Sequence, residues 1–230
     1  MTFAGIQKLT LLDYPGKTAC TLFTAGCNLR CPYCHNSRLV LPERRDDVQL
    51  TNEEVLTFLK KRAGLLDGVC ITGGEPLLQE SALREFILCV KALGYAVKID
   101  TNGTRPEVLE ALLNDRLIDY AAMDVKNAFP YYAETVGVTD FAITPIKDSI
   151  EILKNSGMDY EFRTTVVREF HTVERIRELA QSIAGAKRYF IQRFRDSGEL
   201  ITSGLSAVPE ADMQKMREAA EEFCPTEIRG

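Results

Sequence analysis

Two apolar rhythms alternate along this chain. Short, densely apolar runs are followed by stretches in which apolar residues recur every three or four positions, the signatures of buried strands and amphipathic helices. Thr18 to Thr24, with Ala19, Leu22 and Phe23, reads as a strand that stops at Ala25-Gly26. Thr51 with Glu54 forms a capping box, and Val55, Leu56, Leu59 and Ala63 continue as a helical stripe. Gly68 to Thr72 is a second strand, followed at once by Gly73-Gly74-Glu75-Pro76. Leu83, Phe86, Ile87, Val90 and Leu93 mark a helix that Gly94 stops. Tyr95 to Ile99 is a third strand, Pro106 to Leu112 a helix, and Ile118 to Met123 a fourth strand.

From 127 to 144 the pattern weakens to loop and short helix. Asp148 to Asn155 is helical, and Tyr160 to Val167 is a fifth strand. Thr172 caps a helix along Val173, Ile176, Leu179 and Ile183. Tyr189 to Phe194 is a sixth strand, and Pro209 opens a last helix with Met213, Met216 and Phe223. Six β-then-α units with right-handed crossovers build a parallel sheet. They are too few for a closed eight-stranded barrel. The expected fold is α/β, an open, partial (β/α)6 TIM-like barrel, with a doubly wound sheet as the alternative. No repeat or Pro/Gly/Ser linker breaks the pattern, so residues 1–230 read as a single domain.

In either architecture ligands gather at the carboxyl ends of the strands. The polar motifs fall there. A cysteine-rich loop follows strand one, Gly73-Gly74-Glu75 follows strand two, and Asp100 follows strand three. Asp124 and Lys126 follow strand four. Chance would scatter them among strand ends and helix faces, so this placement points to one shared site.

Composition narrows the partners. Hydrophobic residues are 45% and charged residues 27%, ordinary for a soluble globular protein. A net charge of −5 argues against nucleic acid as the main partner. No apolar run is long enough for a membrane helix, and the first residues lack the pattern of a signal peptide. A cytoplasmic location is expected. Of the seven cysteines, Cys20, Cys70, Cys89 and Cys224 stand alone and read as small buried hydrophobes or surface thiols. A secreted disulfide framework is not expected.

The other three, Cys27, Cys31 and Cys34, make a C-x3-C-x2-C loop. A fold does not need three thiols so close together; a soft metal or a metal–sulfur cluster does. A structural zinc needs a fourth ligand, and none is near: His35 follows Cys34 too directly, and His171 is far along the chain. A dithiol at Cys31-Pro-Tyr-Cys34 suits redox exchange but leaves Cys27 unexplained. A [4Fe-4S] cluster with three protein ligands uses all three thiols and leaves one iron open for a small molecule. Such a cluster also fits an electron carrier or redox sensor, a reading from a different functional class.

With Tyr33 just before the last cysteine, the loop resembles the signature of the radical S-adenosylmethionine (SAM) superfamily, and Gly73-Gly74-Glu75-Pro76 resembles its second motif. The likeness extends over essentially the whole chain to activating enzymes of glycyl-radical enzymes. Its carriers are Ile6 to Gly16, Cys34-His35-Asn36, Asp100-Thr101-Asn102-Gly103 and Asp124-Val125-Lys126. Within that group the chain most resembles activators of anaerobic ribonucleoside-triphosphate reductase, with activators of pyruvate formate-lyase as near relatives.

The resemblance implies an oxidoreductase in which Cys27, Cys31 and Cys34 bind three irons and SAM chelates the fourth. Reductive cleavage of SAM then gives a radical that takes hydrogen from a glycine Cα of the partner. It implies a reduced flavodoxin or ferredoxin as electron donor. It also implies a monovalent cation, Na+ or K+, held by Asp100, Thr101, the Ala122 carbonyl and Asp124. Tyr33, Gly73, Gly74, Glu75, Asp100, Lys126 and Arg163 are the expected SAM contacts, and Asp13 and Asn36 the expected contacts of the glycyl peptide.

Physical reasons accompany these roles. Glycine backbone admits close approach, Glu75 is an acceptor suited to an ammonium group, and Lys126 is a point charge suited to a carboxylate. Asp100 before Asn-Gly also suits a turn. His35 is read as orienting the loop, and His171 as a helix-start residue without catalytic duty. Gln192, Arg193 and Arg195 sit at a strand end. Formate-lyase activators have Asp-Gly-Pro-Gly where this chain has Asp13-Tyr14-Pro15-Gly16, which weakens a formate-lyase as partner but leaves a formate-lyase-like enzyme as the alternative. No cysteine lies between Asn36 and Val69, so one cluster is expected. A radical SAM enzyme acting on another substrate is the remaining alternative.

Overall fold

A computed structural model describes residues 1–44, 49–196 and 198–230. In chain order the elements are β1 (Thr2–Phe3), β2 (Gly5–Thr10), β3 (Ala19–Thr24), α1 (Ser37–Val40), β4 (Leu50–Thr51) and α2 (Asn52–Lys61). Then come β5 (Gly68–Gly73), α3 (Glu80–Ala92), β6 (Ala96–Thr101), α4 (Pro106–Asn114), β7 (Tyr120–Asp124) and α5 (Tyr132–Val136). The chain continues through α6 (Thr144–Asn155), β8 (Asp159–Val166), α7 (Val173–Ser182), β9 (Tyr189–Arg193), α8 (Glu210–Glu221) and β10 (Thr226–Arg229). The six expected strands are β3, β5, β6, β7, β8 and β9, each followed by a helix.

The differences have physical causes. β2 was not expected, because it pairs antiparallel at the edge of β3 and leaves Gln7, Lys8 and Leu9 exposed. An edge strand of this kind carries little apolar pattern. β10 has only four residues, two of them charged, and is held by parallel pairing with β9. α6 begins at Thr144 rather than Asp148, since Pro145 fits the first helical turn, where no amide hydrogen is required. α8 ends at Glu221, so Phe223 lies beyond it.

The chain folds into two compact units. The first comprises Met1–Asn28, Arg38–Thr101 and Arg105–Ala121. Its main sheet runs β2-β3-β5-β6, with β3, β5 and β6 parallel. Leu22, Val69, Ile71, Val97 and Ile99 are sealed, and Leu59, Phe86, Ile87 and Val90 from α2 and α3 are buried with them. Strands buried on both faces read as apolar runs rather than alternations, which is why they were legible. Tyr14 is buried beside Tyr120 and Ala19. A Cβ on Gly68 would lie 2.9 Å from the Tyr14 ring, so glycine makes room for it.

The second unit comprises Leu29–Ser37, Asn102–Thr104 and Ala122–Gly230. Its strands β8, β9 and β10 lie side by side in parallel. Phe162, Tyr189 and Ile191 from the strands and Ile176, Leu179, Met213 and Met216 from α7 and α8 are all buried. Thr172 caps α7 by accepting from Arg175 N, as the pattern predicted. Among the described residues no helix is long and apolar enough to cross a membrane.

Candidate active site

In the first unit the stem of Cys27 is held largely by backbone, with Gln79 Nε2 donating to Ala25 O at 3.3 Å. β3 and β5 stay in register to their last pair, Thr24 opposite Gly73. Gly74 N donates to Thr24 O at 2.9 Å, and Glu75 N donates to Gly26 O at 2.7 Å. Gly73 has φ +119°, and a Cβ there would meet Thr24 backbone at 2.4 Å. A Cβ on Gly74 would sit 1.9 Å from the Gly26 carbonyl. The sequence expectation gave these glycines close approach to a ligand; here they admit the chain's own backbone where it leaves β3 for Cys27.

Glu75 is buried and caps a 3-10 turn at Pro76–Gln79. Its Oε1 accepts from Leu77 N at 3.1 Å and from the Thr101 hydroxyl at 2.9 Å. Asp100, at the end of β6, is paired with Lys98, whose Nζ bonds to Asp100 Oδ1. Lys98 is 1% exposed. Cys70 completes the group: Lys98 Nζ is 3.7 Å from its sulfur, and the thiol is 3.8 Å from Asp100 Oδ1. The sequence reading missed Lys98. Its signal was a single charged residue inside an otherwise apolar strand run. Asp13 accepts from the Thr21 hydroxyl at 2.5 Å.

In the second unit Cys34 N donates to Cys31 O at 3.0 Å, which closes a turn around Pro32-Tyr33. Arg30 is fixed by donation from its amide to Val136 O at 2.9 Å. Gly137, with φ +64°, lets that approach happen, since a Cβ there would lie 2.3 Å from Arg30 O. Tyr33 is buried beside Phe170 and His171, and its hydroxyl has no hydrogen-bond partner among the described residues. His35 stacks on Phe194 at 5.6 Å, consistent with orienting the loop. Asn36 turns its backbone amide toward the Cys34 thiol.

Asp124 and its neighbours form the charged part of this unit. Arg163 Nε donates to Asp124 Oδ1 at 2.9 Å, and Lys126 Nζ donates to Oδ2 at 2.9 Å. Burial opposes the Asp124 charge, but the two cations outweigh it and hold its carboxyl well below the usual range. Burial also opposes the Lys126 charge; Asp124 and Cys31 outweigh it and keep the ammonium protonated. Ala122 is buried in β7, two residues before Asp124.

His171 has a structural part that the sequence did not display. It lies just before α7 but is buried, with Nε2 2.8 Å from Lys126 O and Nδ1 3.0 Å from Val167 N. It tethers the Lys126 backbone, and burial keeps it neutral by lowering its pKa. With Val167 N–H donating to Nδ1, the Nε2–H tautomer satisfies both bonds. At the end of β9, Arg193 pairs with Glu210, and Gln192 accepts from Thr165 at 3.3 Å.

By residue type the thiols suit a metal–sulfur centre, although among the described residues no group of three or more His, Cys, Asp or Glu side chains is assembled that could hold a metal ion. No disulfide is formed among the seven cysteines, so none of the three in the loop is spent on one. Burial pushes the Cys34 thiol up, against the Asn36 amide and Lys126. A thiolate so placed is most readily formed as a metal ligand, and soft thiolate donors match iron and sulfide better than a hard ion. The unpartnered Tyr33 hydroxyl is a buried polar group with capacity left for a bound molecule.

Comparison with known proteins agrees. The family model of the radical SAM superfamily matches residues 21–198. A Methanocaldococcus jannaschii protein, provisionally named a glycyl-radical enzyme activating enzyme, is 39% identical over 83% of this chain and 79% of its own length. The pyruvate formate-lyase-activating enzyme of Listeria monocytogenes is 27% identical over 84% of this chain and 81% of its own. The crystal structure of a radical SAM methyltransferase from Sphaerobacter thermophilus superposes with a TM-score of 0.76 at 14% identity, covering 96% of this chain and 68% of that one. At that identity it speaks to the fold alone, and it agrees with the expected partial (β/α)6 barrel. This chain belongs to the radical SAM superfamily and, within it, to the glycyl-radical enzyme activating enzymes.

Proposed function

We propose that the protein activates an anaerobic ribonucleoside-triphosphate reductase by removing a hydrogen atom from a glycine Cα of that partner. The observation that carries the activating role, though not the choice of partner, is the likeness to the M. jannaschii activating enzyme over most of both chains. The three thiols of the C-x3-C-x2-C loop supply the chemistry it needs. Tyr14 favours this partner over a formate-lyase, because the glycine of the formate-lyase pattern is replaced by a side chain built into the core.

Cys27, Cys31 and Cys34 would hold a single [4Fe-4S] cluster, with SAM at the open iron. Together these cofactors supply a one-electron reductive cleavage that ends in hydrogen abstraction. Reduced flavodoxin or ferredoxin is the donor we infer. The chain's own part is positioning. Gly73 and Gly74 fix the stem of Cys27. Lys126 offers an ammonium to the SAM carboxylate, and Glu75 offers a carboxylate to its amino group. Tyr33 offers its ring and hydroxyl, and Arg163 steers Asp124. Asp13 and Asn36 are assigned to the glycyl peptide. Residues 1–230 act as a single catalytic domain in this reading, in the cytoplasm.

The test is anaerobic. The cluster is reconstituted, reduced and mixed with SAM, and 5′-deoxyadenosine is measured. Candidate partners are then added and a glycyl radical doublet is sought by EPR. The doublet is expected with the reductase. Nucleoside formation with no doublet from any glycyl-radical enzyme of the same cell would point to another substrate. A doublet only with a formate-lyase would move the partner. Cys27→Ala is expected to abolish the cluster; a variant that keeps a Cys31/Cys34 dithiol activity would favour redox exchange.

A further inference from the structure

We propose that Lys98 is a positioning residue that takes the place of a monovalent metal cation at Asp100, so that this chain binds SAM without Na+ or K+. The inference rests on the reading of the chain as a SAM enzyme. Lys98 and Cys70 are opposite one another in the parallel pairing of β6 and β5. The lysine is sealed at 1% exposure, and its ammonium is bound to Asp100 Oδ1 with the Cys70 sulfur 3.7 Å away. An alkali ion would bring to this carboxylate one positive charge and a demand for oxygen ligands. The ammonium brings the same charge on a tethered stem, with hydrogen-bond donors and no hydration shell to shed on each binding event.

Two of the other groups that the family resemblance assigns to a cation, Thr101 and Asp124, are occupied in similar ways. Thr101 directs its hydroxyl hydrogen to Glu75 Oε1, 2.9 Å away. Within the second unit, Asp124 is already met by two cations, Arg163 and Lys126. Each of the two acidic side chains thus has its countercharge from the chain itself. A metal ion added at Asp100 would meet a fixed ammonium at the same oxygen, in a buried layer where like charges repel strongly.

The experiment uses the cluster-loaded protein without any partner. Dissociation constants for SAM are measured anaerobically in KCl, NaCl and tetramethylammonium chloride at equal ionic strength; the last ion is too large for a carboxylate cradle. The three values are expected to agree within threefold. A larger loss in tetramethylammonium, restored by K+ or Na+, overturns the proposal. Lys98→Met is expected to bind at least tenfold more weakly in tetramethylammonium and to recover with K+ or Na+, while Lys98→Arg stays indifferent to the salt. A Lys98→Met variant that binds like the parent in all three salts overturns the role of Lys98. Should that variant fail to fold, the parent protein and Lys98→Arg decide. No binding in any salt sinks both this inference and the SAM reading; salt-dependent binding sinks this inference alone.

Discussion

In the first unit Asp100 meets a lysine sealed at 1% exposure, whereas in the second Asp124 lies at 29% exposure between Lys126 at 17% and Arg163 at 13%. Both carboxylates are neutralised, yet the two arrangements behave differently. A buried pair cannot lose one member without stranding the other charge away from water. A pair with solvent access can exchange partners at modest cost, because water and ions take up the slack. The first unit therefore fixes geometry, through Lys98, the Glu75–Thr101 bond and the glycine clasp on Gly26. The second holds charges able to turn from one another to an incoming ligand, and Lys126 is the clearest of these.

The largest way to break this contrast is Gly74→Ala. A Cβ 1.9 Å from the Gly26 carbonyl has nowhere to go but into backbone. A loss above about 4 kcal/mol in urea unfolding is expected, with poor iron retention after reconstitution. A variant that unfolds like the parent would show that the clasp yields. Next comes Lys98→Met in K+-free buffer, which strands Asp100. A loss of about 3 kcal/mol is expected from the same measurement, against near-parent stability if Asp100 turns to solvent.

Asp124→Asn probes the open side. It leaves Arg163 and Lys126 facing a neutral amide, and about 2 kcal/mol is expected, less than for Lys98→Met because these side chains keep some solvent access. Its pH signature sharpens the point. The Asp124 carboxyl is held below its usual range in the folded state. Its contribution is thus full above the unfolded value near 3.9 and is lost as pH falls below it. The parent should lose stability more steeply than Asp124→Asn on acidification below about pH 4, and parallel acid titrations would contradict the pairing. The smallest effect belongs to Arg177→Ala, whose ion pair with Glu222 leaves both side chains about half exposed. A change below about 0.5 kcal/mol is expected by thermal melts, which sets the floor for the comparison.

Much of the scaffold was legible because its strands are buried on both faces and α2 and α7 are capped by local chemistry. The Thr51–Glu54 capping box forms as read, with Thr51 N donating to Glu54 at 2.8 Å. β2 was illegible because an exposed edge removes the apolar pattern, and β10 because four mostly polar residues owe their conformation to β9. At the site, residue types announced themselves but their partners did not. Glu75, Thr101, Asp124 and Arg163 were all singled out, yet that Glu75 accepts from Thr101 and Asp124 from Arg163 is set by strand packing. Lys98 escaped notice because burial of a lysine is decided by what surrounds it. His171 was read as a helix-start residue without catalytic duty; its sequence position gave no hint of its hold on the Lys126 carbonyl.

The glycine clasp also orders events in time. It joins the end of β3 to that of β5, where Thr24 and Thr72 are bonded across 48 positions of chain. Contacts so distant along the chain form only after the intervening loop closes, and they are among the later steps of folding. Until they form, nothing fixes where Cys27 leaves the sheet. With the proposed cluster at this thiol, metal delivery then follows folding, the reverse of small zinc domains that fold around their ion. The apoprotein should accordingly be a folded acceptor, and a chelator should strip the iron while leaving the far-ultraviolet circular dichroism of the chain intact.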